Sequence, residues 1–345
     1  MESTKEPFTV YDLKFFRFSA YFRVLDELSL PGTFAGNVVR SALGRAMHSV
    51  RFGTSGICKE CPIRAECRYT DIFSYLFESP FDHPLIGENE NYLPDKYKQK
   101  NYPGPFVFVP PSPGLYLQGQ ELRIDFTLIG MAIQFFPFMV CSLERFASNG
   151  LARYRSRLAL EKIVCQDNSD SAVVHASNAP VSLPDSTSVL STRKILGQCS
   201  DFDISASDSL RMKIRFLTPF RVKHQNRLPR DLTFEILARS VFRRLVYLTL
   251  YKELGDMPLF EIDYAALLPR TKEISEIENR IEWVESGRYS VRRRQRMKIG
   301  GYLGTIEFGG DLVPFIPHVS ICKYAHIGTK TSFGFGTYEA SVSAP

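Results

Sequence analysis

The sequence predicts an α+β fold built from two ferredoxin-like units in tandem, the βαββαβ arrangement that RRM domains share. Three observations point to it. Residues 1–205 run strand, helix, insertion, strand, helix, strand, and residues 206–345 repeat a similar order. Between them, about 178 to 209, lies a stretch rich in Ser and Asp with Pro180 and Pro184, which reads as a linker or exposed loops. The duplication rests on element order, because no residue-by-residue repeat accompanies it.

The first strand is set by clean alternation. Phe16, Phe18, Ala20, Phe22 and Val24 fall on one face, and Arg17, Ser19, Tyr21 and Arg23 on the other. After the Pro31-Gly32 turn, Thr33 is placed to cap a helix from about 34 to 50. At 100° per residue its buried stripe is Val39, Ala42, Leu43, Ala46, Met47 and Val50, while Asn37, Arg40, Ser41, Arg45 and His48 share the opposite side. Residues 51–118 hold Cys58, Cys61 and Cys67 and then eight prolines, a density expected to exclude regular sheet or helix. They read as an insertion that hides one strand of the unit. A strand over 121–129, a mostly buried helix over 131–148 with Pro137 near its start, and a strand over 158–166 complete the first unit.

The second unit reads as a strand over 210–218, a helix from about 232 to 254, strands between 288 and 309, a helical stretch around 312–324 and a last strand over 335–342.

Of the 345 residues, 44% are hydrophobic and 23% charged, an ordinary globular balance that excludes disorder, collagen and coiled coil. The most apolar stretch, Leu128 to Leu143, is broken by Gln134 and Pro137 and falls short of the ~20 residues a membrane span needs. The opening residues lack the basic start and apolar core of a signal peptide. A cytoplasmic protein without membrane partners is expected, its seven cysteines mostly reduced thiols, metal ligands or core residues.

The formal net charge of +6 is concentrated: from Arg288 onward eight basic residues face three acids. Such a local field favours a surface for a polyanion. Its centre is Gly287-Arg-Tyr-Ser-Val-Arg-Arg-Arg-Gln-Arg-Met-Lys298. If extended, Arg292, Arg294, Arg296 and Lys298 form one row of cations spaced about 6.5 to 7 Å apart, comparable to phosphates along a strand. The plainer alternative is a solvated sheet edge blunted by charge. A second feature is His326-Ile-Gly328-Thr-Lys330-Thr-Ser-Phe-Gly334-Phe-Gly336. Its three glycines allow backbone N–H groups to approach phosphates, with Lys330 supplying charge; a plain hairpin with glycine turns is the alternative. Neither a dinucleotide fingerprint nor a Walker loop is present.

The glycine-rich loop before the final strand, the Ser290-Val-Arg-Arg-Arg-Gln295 and Gly300-Gly-Tyr-Leu-Gly304 stretch, Arg40-Ser-Ala-Leu-Gly-Arg-Ala-Met-His48, the cysteine run, Phe77-Glu-Ser-Pro80, Phe216-Leu-Thr-Pro-Phe-Arg221 and Arg243-Arg244 together resemble the RAMP superfamily of CRISPR-associated proteins. Within it they are similar to the endoribonucleases that cut precursor CRISPR RNA inside each repeat. That resemblance implies a metal-independent reaction in which the ribose 2′-OH attacks the adjacent phosphate, leaving 2′,3′-cyclic phosphate and 5′-OH ends. Such chemistry needs a base, an acid and cations around the pentavalent phosphorus.

Histidine suits the base, with an ordinary pKa of ~6.5. The family often carries its catalytic histidine at or near the first helix, which makes His48 the first candidate, beside Arg40 and Arg45. His326 at the glycine loop is the second, Lys330 a charge stabiliser, and Tyr21 a source of a second hydroxyl. Arg40, Arg45, Arg288, Arg292, Arg294, Arg296 and Lys298, with Gly328, Gly334 and Gly336, are the expected RNA contacts.

The Cys58-x2-Cys61-x5-Cys67 spacing suits a structural zinc whose fourth ligand the sequence does not identify; reduced free thiols and an iron–sulfur cluster are its alternatives. No cofactor is expected in catalysis. The implied partners are CRISPR repeat RNA and CRISPR effector subunits, with the protein a monomer or homodimer. Two other readings stand beside the enzyme: a non-catalytic RNA-binding RAMP subunit of an effector complex, and a module whose basic strand contacts an acidic protein.

Overall fold

The computed structural model describes residues 7–30, 34–53, 70–78, 83–98, 102–167, 173–176, 181, 183–199, 209–225, 227–253, 255–290 and 295–344. The chain forms two compact units, one of residues 15–91 and 98–190 and the other of 1–14, 92–97 and 191–345.

The first unit is built from β1 (Lys14–Val24), α1 (Gly36–Phe52), β2 (Phe106–Val109), β3 (Glu121–Ile129), α2 (Phe136–Asn149) and β4 (Leu158–Cys165). Its sheet runs β2-β3-β1-β4, continued by the strand Val173–Ala176, and every pairing is antiparallel. This is the ferredoxin-like order. Phe16, Phe18 and Phe22 of β1 are fully buried under α2, with Phe16 5.0 Å edge-on to Phe136 and Phe22 5.6 Å from Phe146. Both helices therefore cover the phenylalanine face, since α1 packs against α2. The α1 stripe from Val39 to Met47 is buried as the helical period requires.

Two expectations are corrected here. The insertion is not devoid of regular structure: helices occupy Thr70–Phe73 and Pro84–Glu90, a π-turn Ser74–Glu78, and strands Phe106–Val109 and Gly114–Tyr116. The prolines flank these elements instead of interrupting them. Pro103 and Pro105 precede β2 and Pro110 and Pro111 follow it, while Pro84 opens its helix, where a missing N–H costs nothing. β2 is the strand hidden in the insertion. The N-cap of α1 is Ala35, with no side-chain cap bond, and Thr33 lies outside the described residues.

The second unit repeats the plan with β5 (Leu210–Phe220), α3 (Phe234–Leu248), β6 (Ser275–Ser290), β7 (Gln295–Gly310), α4 (Ile316–Cys322) and β8 (Tyr338–Ser343). Its sheet order is β6-β7-β5-β8, again antiparallel throughout. β5 alternates buried Met212, Ile214 and Phe216 with exposed Arg211, Lys213 and Arg215. Thr233 caps α3 by accepting the Ile236 N–H.

β6 begins at Ser275, well before the expected strand, because most of its described side chains are exposed and apolar alternation is lacking. The supposed linker also contains structure: a strand Val189–Ser191 and a helix Thr192–Cys199. Ile195 of that helix is buried, and Thr192 N–H and Oγ1 both donate to the Leu13 carbonyl.

Candidate functional site

On α1, residues 40, 44 and 48 stand one above another at i, i+4 and i+8. The ring of Phe77 lies directly on Gly44, where any Cβ would run into it. Arg40 covers the same ring, its guanidinium carbon 3.9 Å from the ring centroid and its Nη2 donating to the Phe77 carbonyl at 3.2 Å. Phe73 stacks on Phe77 at 5.3 Å, and His48 stands edge-on to Phe73 at 5.7 Å. His48 is half-buried and Arg45 exposed. Partial burial, and after it the nearby Arg155, lower the pKa of Arg45.

Tyr21 belongs to the opposite face of the first sheet, away from the helices. Its neighbours in register are Arg123 of β3 and Lys162 of β4. The Lys162 Nζ lies 4.9 Å and the Arg123 guanidinium 5.7 Å from its ring centroid. The structure therefore does not bring Tyr21 to His48. It makes Tyr21 the centre of a cation-flanked aromatic platform instead.

The glycine loop runs through left-handed backbone. His326, Gly328, Lys330, Gly334 and Gly336 all hold positive φ. A Cβ on Gly336 would run into the Ile327 carbonyl, so glycine is required there on two counts. The N–H groups of Ile327, Thr329, Phe333, Gly334, Phe335, Gly336 and Thr337 all donate within the protein, which directs outward contacts to the exposed tip at Lys330.

His326 is turned inward, 3% exposed, with the Thr337 hydroxyl 3.1 Å from Nε2. Burial and the adjacent Arg244 push its pKa down to about 3, opposed by a hydrogen bond with the Phe335 backbone. Arg244 is itself buried, and its Nε donates to the Ala325 carbonyl at 3.0 Å, immediately before the loop.

The basic hairpin joins this loop through a residue that sequence reasoning assigned no role. Arg221, at the end of β5, donates from Nη1 to the Gly300 carbonyl at 2.7 Å and lies over Trp283 at 5.9 Å. Its own carbonyl accepts the Thr329 N–H at 2.7 Å and the Thr329 hydroxyl at 3.1 Å. The signals that would have found it are the chain's lone Trp and the Gly300-Gly301 pair, whose hydrogens make room for Trp283 and for the β5 backbone. In the hairpin, Arg288 pairs with Met297, Tyr289 with Arg296 and Gly287 with Lys298. Arg292 and Arg294 lie outside the described residues, as do Cys58, Cys61 and Cys67.

Among the described residues no cluster of His, Cys, Asp and Glu is arranged to hold a metal ion. Cys165 and Cys322 are buried, and Cys141 is exposed. No described helix is long and apolar enough to cross a membrane.

Residues 13–186 match the AF_1859_N family model, an N-terminal domain, and residues 214–338 match the model of CRISPR-associated endoribonuclease Cas6. No curated protein matches the chain. Among solved structures, a partial Cas6-RT-Cas1–Cas2 complex superposes with a TM-score of 0.56 at 11% identity, covering 97% of this chain and 47% of that one. The chain thus spans about half the length of that relative. A Thermus thermophilus Cas6 gives a TM-score of 0.50 at 12% identity, covering 96% of this chain and 99% of that one. A Cas6 product complex gives 0.50 at 13%, covering 94% and 99%. At these identities the likeness is one of fold.

Proposed function

We infer a function from the premise that the chain belongs to the RAMP-type CRISPR repeat-RNA-processing proteins, with an AF_1859_N domain over 13–186 and a Cas6 endoribonuclease domain over 214–338. It cuts precursor CRISPR RNA within its repeats. The observation that carries this reading is that the Cas6-matched stretch contains both the basic hairpin and the glycine loop, which Arg221 joins.

The reaction is transesterification without a metal. His48 takes the proton of the ribose 2′-OH, and O2′ bonds to phosphorus as the P–O5′ bond breaks. The departing O5′ takes a proton from solvent water, leaving a 2′,3′-cyclic phosphate and a 5′-OH. His48 suits the base because the Phe73 edge fixes its ring and the residue is only half-buried, with its Nε2 the covered nitrogen. His326, buried and neutral, holds the loop instead. Arg45, on the helix that carries His48, neutralises charge that develops on the phosphate, and Lys330 at the tip of the glycine loop supplies a cation to the RNA backbone. The hairpin cations from Arg288 to Lys298 grip the RNA backbone, and the Tyr21 platform offers a stacking surface for an unpaired base. Subunits of CRISPR complexes are the protein partners, and the protein works in the cytoplasm.

The test is incubation in EDTA with labelled repeat RNA beside the same RNA carrying a single 2′-deoxy at each position. One cut that survives EDTA and disappears with one substitution supports the reading. Tight binding without a cut assigns the chain to the non-catalytic effector subunits, and neither binding nor cutting defeats the RNA reading altogether.

A further inference from the structure

A cavity of about 440 Å³ opens beside the first half of α3, wholly inside the second unit. The helix presents Glu235, Arg239 and Arg243 to it at i, i+4 and i+8, with buried Ile236 and Ser240 as its floor. Two further elements close it. The tight turn after β5, where His224 and Arg227 exchange both backbone hydrogen bonds, brings Lys223, and the turn after the helix Tyr264–Arg270 brings Lys272. Four cations from three elements thus converge on a space that holds one carboxylate. Glu235 is already engaged, accepting from Arg239 Nε at 2.8 Å and Nη2 at 2.7 Å. Among the described residues, no acid lies within ion-pair distance of Lys223, Arg243 or Lys272.

A solvated helix face is the plain explanation for any one of these charges. It does not account for three separate elements directing like charges into one concavity, where mutual repulsion costs stability unless an anion occupies it. The lining is too polar to hold a base by stacking, and the volume exceeds that of a lone phosphate. We propose that this cavity seats a phosphate-ribose segment of the RNA strand, with Lys223, Arg239, Arg243 and Lys272 around its phosphate. This rests on the RNA reading above and adds a contact that neither the hairpin nor the glycine loop provides.

Phosphate contacts carry no sequence information, which makes the prediction specific. The full chain is compared with its K223A/K272A double variant for binding labelled repeat RNA and an unrelated single strand of equal length, over a range of salt. The expected result is several-fold weaker binding of both strands, with the log–log salt slope reduced by up to about 0.7, the single-strand value for one phosphate no longer neutralised. Both side chains are exposed and their removal relieves repulsion, so the thermal midpoint should not fall below the parent's; should it fall, K272E alone must reproduce the slope change. An unchanged slope and affinity in a variant of a parent that binds tightly overturns the cavity. A loss confined to the repeat strand overturns the phosphate assignment. A parent that binds neither strand defeats the RNA reading itself.

Discussion

His48 stands edge-on to Phe73, with ring centroids 5.7 Å apart and planes at 89°. Phe73 in turn stacks on Phe77, which lies against Gly44 and Arg40 of the helix that carries His48. Aromatic packing from the segment that follows α1 therefore bears directly on the imidazole.

His48→Ala should lower the cleavage rate by about 10²–10⁴-fold, the scale of a lost general base, with repeat RNA still bound. Phe73→Leu should reduce the rate by up to about 10²-fold through misorientation alone. Single-turnover rates with added imidazole separate the two: imidazole should restore part of the alanine variant's rate and leave the leucine variant's unchanged.

Gly336→Ala forces a Cβ against the Ile327 carbonyl at a φ of 76°. Left-handed backbone costs about 1–2 kcal/mol and overpacking about 1–3 kcal/mol, so a loss of about 2–5 kcal/mol is expected in urea unfolding.

Acid should destabilise the second unit. Burial pushes His326 down to about 3, and burial pushes His318, edge-on to Phe242 and Phe260, down to about 4. Both lie below the unfolded value of 6.5, so the unfolded chain binds more protons in that window. Stability is complete above about pH 6.5 and falls as pH drops, by up to about 1.4 kcal/mol per pH unit for each histidine. Urea midpoints from pH 7 to 4.5 measure this, and His318→Phe should flatten the slope.

Arg244→Met should change stability by no more than about 1–2 kcal/mol, because relief of a buried charge offsets the single hydrogen bond to Ala325. Arg244→Ala loses the same bond and opens a cavity, costing about 2–5 kcal/mol. The gap between the two variants in thermal unfolding is the readout, and equal losses would mean that the bond itself dominates.

Replacing Arg288 and Arg296 with Gln should weaken repeat RNA binding and reduce its log–log salt slope by about 0.7 for each single-strand phosphate that is no longer neutralised. Fluorescence anisotropy between 50 and 300 mM salt checks it.

Local patterning determined much of this protein. The alternation from Phe16 to Val24, the apolar stripe from Val39 to Met47 and the alternation of β5 each register burial at the period of their element, so sequence spacing alone sets which face is wet. The concentration of charge after Arg288 and the left-handed glycines at 328, 334 and 336 were legible for the same reason: charge and permitted φ are properties of single residues.

What only the tertiary structure decided depends on chain segments far apart in sequence. No period reveals that Phe106–Val109 pairs with β3 amid prolines, that Phe77 needs a bare Gly44, or that His326 faces inward beside Arg244 and stays neutral. Nor does spacing reveal that Arg221 joins the hairpin to the glycine loop, or that Lys223 and Lys272 meet Arg239 and Arg243 around one cavity. Burial, and through it the charge state of a histidine, is set by what packs against a side chain, and those neighbours are fixed only when the sheet order is.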